Sequence, residues 1–297
     1  MSTRRRIILF GVLLLMILAT VLLLMAPVTL GIGFGRAMLR VKGMTHHVES
    51  LGDFDVSYFE KSPDQKQTVI LVHGLADQAG TWWQTIDVFD GYHVIAVELP
   101  GHGESGPQAG DIDIEMFRKS IEFVMKRSHG PAILVGNSLG GYVSLQYALE
   151  HPDQVVQVVA IDAAGMPMKI DPDVFMPKDR DAMAKTMFKV TGPNSATIPG
   201  FVLDDIRESI MEGATPRVWK ALRNGGPLDK RLGGISVPTT VIWGDQDGLI
   251  PVRDGRAMAK IIPGSNYIEI AGCGHSPQAT CADELNPILS RILSKPN

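Results

Sequence analysis

The run Pro-Ala-Ile-Leu-Val-Gly-Asn-Ser-Leu-Gly-Gly at residues 131–141 constrains this chain more than any other stretch. An apolar burst at 132–135 enters a glycine-rich turn, and a helix-forming stretch at 142–150 follows at once. A strand, a tight turn and a helix are therefore expected, with Ser138 at the apex. Small residues at Gly136 and Gly140 let the backbone take the strained shape that thrusts a serine hydroxyl out of a sheet edge. That hydroxyl would sit at the start of a helix whose first N–H groups are unpaired. Gly-x-Ser-x-Gly alone is a weak pattern; the flanking strand and helix give it content. The competing reading is an ordinary turn with an idle serine.

A serine hydroxyl is a poor nucleophile at neutral pH. It needs a histidine to take its proton and a carboxylate to orient that histidine. Two histidines, His151 and His275, follow Ser138. His151 closes the helix in Glu-His-Pro and reads as a solvated C-terminal residue. His275 lies in Ala-Gly-Cys-Gly-His-Ser-Pro, after the apolar run 267–270, on a loop that can reach a distant serine. The acid is sought in residues 239–251, where a strand pattern leads into two aspartates. Asp247 is the choice, because Gly248 and Pro251 shape a loop around it. Asp245 reads as a turn-forming residue. Asp162, at the end of the run 155–161, is a further alternative.

Acyl transfer puts negative charge on the substrate oxygen, and fixed N–H donors must meet it; losing one costs about 3 kcal/mol of transition-state stabilisation. The expected donors are the N–H of Leu139, just after the nucleophile, and the N–H of Leu75, in the His-Gly-Leu-Ala loop after the strand run 68–72. His73 and His102 precede the serine and read as structural hydrogen-bonding residues.

Strand signals recur at 54–58, 68–72, 93–98, 132–135, 155–161, 239–243 and 267–270. Helical patterns intervene at 112–128, 140–150, 253–261 and 282–293. This alternation implies an α/β fold: a mostly parallel sheet with helices on both faces. Ligands bind such sheets beyond the carboxyl ends of the strands, where all the candidate residues fall. Between 165 and 234 the alternation stops, and helical patterns with proline breaks suggest a helical cap. The expected division is an anchor at 1–35, a linker near 44–52, a core at 50–164 and 235–297, and a cap at 165–234. Methionine and aromatic side chains in the cap, Met166, Phe175 and Met187 among them, suit an apolar ligand, although each one could simply glue cap to core. Trp82 and Trp83 are expected to wall the same pocket.

Arg4-Arg5-Arg6 precedes an apolar run at 7–30, which as a helix would be about 36 Å long, enough to cross a hydrocarbon core. No Ala-x-Ala cleavage site marks it as a removable signal, so a single-pass N-terminal transmembrane helix is expected. Basic residues flank both ends, and the side of the membrane stays open. Net charge is −4, which implies no nucleic-acid partner. The two cysteines, Cys273 and Cys281, lack metal-ligand spacing. A disulfide is conceivable, but two small buried thiols are the expectation.

With His73-Gly74, Pro100-Gly101-His102-Gly103-Glu104-Ser105, the Gly136–Gly141 elbow and Gly244–Pro251 with Gly274-His275 in this order, the chain resembles the α/β-hydrolase fold family. One departure is Glu98, where many members carry aspartate. The N-terminal run, the Asn-Ser-Leu-Gly-Gly elbow and Cys-Gly-His-Ser resemble, more narrowly, membrane-anchored monoacylglycerol lipases and related bacterial lipases and esterases. The resemblance implies hydrolysis of carboxylic esters of small lipid-like molecules, with no metal and no organic cofactor. Two other readings stay open. One is a carbon–carbon bond hydrolase of dienoic ketoacids on the same triad, with Arg180, Arg207, Arg217 or Arg223 meeting the substrate carboxylate. The other is a non-catalytic ligand-binding protein on the same frame.

Overall fold

The computed structural model describes Arg5 and residues 26–167, 172–193 and 195–294. Short β-branched runs build its centre. The strands are β1 (Thr45–Ser50), β2 (Asp55–Lys61), β3 (Thr68–Val72), β4 (His93–Val97), β5 (Ala132–Asn137), β6 (Val155–Ile161), β7 (Thr239–Gly244) and β8 (Asn266–Ile270). They form one sheet in the order β1-β2-β4-β3-β5-β6-β7-β8. β2 pairs antiparallel with β1 and β4; every pairing from β4 to β8 is parallel. Strands buried on both faces read as near-continuous apolar runs rather than alternation, and β3, β4 and β5 read that way apart from Thr68, His93 and Asn137.

Alternate residues of each strand feed two cores. Ile70, Val72 and Leu134 pack on one face with Phe117 and Ile121 of α2 (Ile114–Met125) and Leu145 of α3 (Leu139–Glu150). Val69, Leu71 and Val135 pack on the other with Trp82, Phe89 and, from α10 (Ala282–Leu293), Leu285 and Leu289. Between β6 and β7 the chain forms α4 (Pro172–Phe175), α5 (Arg180–Thr191), α6 (Gly200–Glu212) and α7 (Thr215–Gly225). Two more helices, α8 (Val252–Ile261) and α9 (Pro277–Thr280), flank β8. The Asp179 carboxylate caps α5 by accepting from the Ala182 N–H at 2.8 Å, as Asp113 caps α2 at the Met116 N–H.

The N-terminal expectation is corrected in part. A helix, α1 (Pro27–Val41), runs across the expected anchor boundary at residue 35 and belongs to the folded domain. Leu39 is fully buried in the second core. A Cβ at Gly35 would lie 2.9 Å from the Gly80 carbonyl oxygen, so α1 and the 3-10 turn Ala79–Gln84 meet backbone to backbone. The Val28 N–H donates to Asp205 of α6 at 2.7 Å. The expected linker is β1, a polar edge strand with no buried residue. Among the described residues no helix is long and apolar enough to cross a membrane. The apolar run up to residue 25 lies outside them.

The cysteine expectation is overturned. Cys273 and Cys281 form a disulfide with Cα atoms 6.1 Å apart, well inside bridging range. It closes the loop that carries His275.

Candidate active site

Ser138 stands between β5 and α3 with φ 54° and ψ −114°, a conformation that L residues rarely hold. The glycines around it make that turn possible. A Cβ at Gly136 would lie 2.3 Å from the Gly140 carbonyl oxygen, and one at Gly140 would lie 2.1 Å from that of Val72. The turn is fixed by its own backbone: the Ser138 N–H donates to Ile161 at 2.9 Å, and the Ser138 carbonyl accepts from Tyr142 and Ala164. The hydroxyl caps nothing and faces the cavity.

The loop after β7 carries both candidate acids, and they do different things. Asp247 is buried; its Oδ1 accepts from the N–H groups of Leu249 and Ile250, each at 2.8 Å. Its Oδ2 accepts from His275 Nδ1 at 2.7 Å. Asp245 instead accepts from the Gly272 N–H at 2.7 Å and ties this loop to the turn after β8. Asp162 is fully buried with φ 45°, accepts from the Gly244 N–H at 2.8 Å, and makes no hydrogen bond to His275.

A loop, a helix and a strand therefore converge on His275. Its N–H donates to the Val190 carbonyl of α5 at 2.7 Å, and its own carbonyl accepts from Asn137 Nδ2 at 3.0 Å. Its Nε2 is buried without a hydrogen-bond partner among the described residues, while its ring and Ser138 line the same cavity. With Nδ1 held as donor by a carboxylate, Nε2 is the nitrogen left to accept a proton.

The loop after β3 closes the other side. A Cβ at Gly74 would lie 3.2 Å from Ser138 Cβ, so this loop touches the elbow. Among the described residues the Leu75 and Leu139 N–H groups have no hydrogen-bond partner. Leu75 lines the cavity. The neighbouring Ala76 N–H is engaged, donating to His102 Nε2 at 3.2 Å. His73 accepts the Leu99 N–H at Nε2 at 3.0 Å and donates from Nδ1 to the Gly74 carbonyl at 2.7 Å. Burial pushes His73 down to about 3 and His102 to about 4, so both are neutral struts under the loop.

The cavity has a volume of about 560 Å³. Trp83, Phe175 and Met187 line it as expected; Trp82 and Met166 do not. The 3-10 turn puts Trp82 on the opposite side from Trp83, fully buried in the second core. Met166 packs against the first core. The sequence reading missed one whole wall: Val28, Ile32 and Phe34 of α1 line the cavity. It also missed Asn137, whose type and place before the nucleophile were the only available signal. No lysine or arginine lines the cavity among the described residues. Arg180 pairs with Asp204, and Arg217 donates to the carbonyls of Pro107, Gln108 and Gly110.

A parallel sheet bearing a strained serine elbow, with an Asp–His pair on the loops after its last two strands, defines a hydrolase-fold protein. The chain belongs to the alpha/beta hydrolase fold family, whose model matches residues 67–209 and 201–280. It is similar to monoacylglycerol lipase ABHD6 of Bos taurus, at 26% identity over 265 residues, covering 80% of this chain and 78% of that one. It is also similar to 2-hydroxy-6-oxo-6-phenylhexa-2,4-dienoate hydrolase of Comamonas testosteroni, at 27% identity, covering 80% of this chain and 91% of that one. The chain spans 63% of the length of another curated relative, to which it is 27% identical. Among solved structures it resembles a bacterial membrane phospholipase A, with TM-score 0.76 and 23% identity, covering 98% of this chain and 100% of that one.

Proposed function

We propose that the protein is a serine hydrolase that cleaves carboxylic esters of apolar, lipid-like substrates, monoacylglycerols among them. The observation that carries this reading is the His275 ring. One nitrogen is bound to Asp247 at 2.7 Å, and the other has no partner among the described residues in a cavity that Ser138 shares. Ser138 Oγ attacks the ester carbonyl as His275 Nε2 takes its proton. The Leu75 and Leu139 N–H groups receive the oxyanion. His275 then gives the proton to the departing alcohol, leaving an acyl group on Ser138. Water, deprotonated by His275, releases the acid by the same steps. Asp247 holds the imidazole in the tautomer that makes this possible.

A wall without a lysine or arginine among the described residues favours a neutral ester over the dienoic ketoacid of the carbon–carbon hydrolases, whose carboxylate calls for a cationic partner. A membrane location is part of the reading, on the apolar sequence ahead of Pro27. The test is turnover of p-nitrophenyl esters and monoacylglycerols by the protein and by Ser138→Ala. Turnover of the esters that disappears in the variant supports the proposal. Turnover of a ring-cleavage ketoacid in preference to every ester would replace it.

A further inference from the structure

Asp162 sits at the carboxyl end of β6 beside the triad, and the mechanism above gives it no role. It is fully buried, as Asp247 nearly is. Gly244 joins the two residues: its N–H donates to Asp162 Oδ1 at 2.8 Å and its carbonyl accepts from the Asp247 N–H at 3.2 Å, which sets the two buried carboxyl groups side by side. Two carboxylates cannot share a buried contact without a proton between them. The hydrogen-bond donors decide which one carries it. Asp247 receives three: the N–H groups of Leu249 and Ile250 and His275 Nδ1. Asp162 receives one, the Gly244 N–H, at its Oδ1. Its Oδ2 is buried, and no donor among the described residues reaches it. The better-solvated carboxylate keeps its charge, and the poorly supplied one keeps the proton.

We propose that Asp162 is a neutral carboxylic acid whose Oδ2–H donates to the Asp247 carboxylate, making Asp162 a positioning residue for the Asp247–His275 pair. The inference rests on the triad reading of Ser138, His275 and Asp247. Burial first, and the neighbouring Asp247 charge second, raise the Asp162 carboxyl well above the ordinary value of 3.8, as the donor count requires. The arrangement gives Asp247 a fourth hydrogen-bond donor and fixes the plane of its carboxylate without adding a second negative charge beside the imidazole. The other groups facing this cluster are His275 itself and Asp254 of α8, which feels the Asp247 charge. The backbone agrees with the assignment: Asp162 holds φ 45°, a region that Asp and Asn tolerate better than other side chains.

The test uses the whole chain and two substitutions. In Asp162→Asn the amide can replace the acid, donating from Nδ2 to Asp247 and accepting from Gly244 at Oδ1. In Asp162→Gly the donor is gone but φ 45° is unstrained. The proposal expects kcat/KM on a p-nitrophenyl ester to stay within about threefold of wild type in Asp162→Asn, with the pH–rate profile unmoved, and to fall about tenfold or more in Asp162→Gly, mostly in kcat. Equal loss in both variants overturns it, because an essential negative charge at 162 would do that. Full activity in Asp162→Gly overturns it too. Should either variant fail to fold, the infrared C=O band of a protonated carboxyl decides: the wild type must show it at neutral pH, and a wild-type spectrum without it contradicts the proposal. Fluorophosphonate labelling of the wild type separates the two readings. A wild type that does not label refutes the triad reading, whereas one that labels while Asp162→Asn loses turnover refutes the role of Asp162 alone.

Discussion

The side chain of Asn137 donates to the backbone carbonyl of His275 at 3.0 Å, so the residue before Ser138 grips the loop that carries His275. The same amide reaches the Ile161 carbonyl and accepts from Gln278 Nε2 at 3.1 Å. One side chain thus ties β5 to the ends of β6 and of the loop after β8. Proximity between groups that far apart in sequence is what an active site of this kind must enforce, and small displacements are costly to rate.

Asn137→Ala should therefore lower kcat about tenfold or more while leaving KM for a short-chain ester close to wild type. Steady-state kinetics on a p-nitrophenyl ester check this. A variant with unchanged kcat would mean that the His275 loop holds its place without the amide.

Gly140→Ala should unfold the protein or destabilise it by about 3 kcal/mol or more, since the added Cβ would lie 2.1 Å from the Val72 carbonyl oxygen. Urea denaturation gives the number. A stable, active Gly140→Ala would show that the elbow is looser than its geometry implies.

The paired histidines under the loop after β3 set an acid limit. Burial holds His73 down to about 3 and His102 to about 4, against an ordinary value of 6.5. Both are neutral in the folded protein and take up protons when it unfolds below that ordinary value. Their contribution is present above it and is lost as pH falls toward 4. Thermal stability should decline across this window, and His102→Gln should flatten the decline. A melting temperature independent of pH there would contradict the assignment.

The Cys273–Cys281 bridge spans the His275 loop with a sequence separation of 8. Removing it by Cys273→Ser with Cys281→Ser should cost about 2 to 3 kcal/mol of stability. It should also lower kcat, because Gly274 and His275 lie inside the closed loop. Guanidinium melts and ester kinetics on the double variant test both parts; unchanged values for both would reduce the bridge to an ornament.

Gly31 of α1 lines the cavity, and nothing lies within 4 Å of where its Cβ would stand. Gly31→Phe should fill part of the cavity and shift preference toward short esters, with short-ester turnover retained. An unchanged chain-length profile would remove α1 from the cavity wall.

Much of this architecture could be read from residues alone, for identifiable reasons. The elbow is local: glycine spacing, an apolar strand and a helix start all sit within 131–150, so Ser138 needed no tertiary information. The Asp–His pair was legible because both residues follow apolar runs, which places them at strand ends. Asp247 rather than Asp245 was a matter of loop shape, and the Gly272 contact of Asp245 gives the physical reason. Other features had no sequence signal of their own. β1 is polar and half-exposed, because it is an edge strand with one neighbour. An apolar stretch does not say whether a bilayer or a protein core will bury it, and α1 goes to the core at Leu39 and to the cavity at Ile32. Trp82 and Trp83 are adjacent, and only the 3-10 turn separates a core side chain from a cavity wall. Two cysteines eight residues apart are as compatible with free thiols as with a bridge until the turn between them is known.

Identification of the labelled residue after exposure to a fluorophosphonate, by mass spectrometry of the digested full-length protein, tests the central claim most directly. One adduct is expected, on Ser138, formed by the wild type and nearly lost in His275→Ala. A folded wild type that stays unlabelled, or that carries the adduct on a different residue, would contradict it.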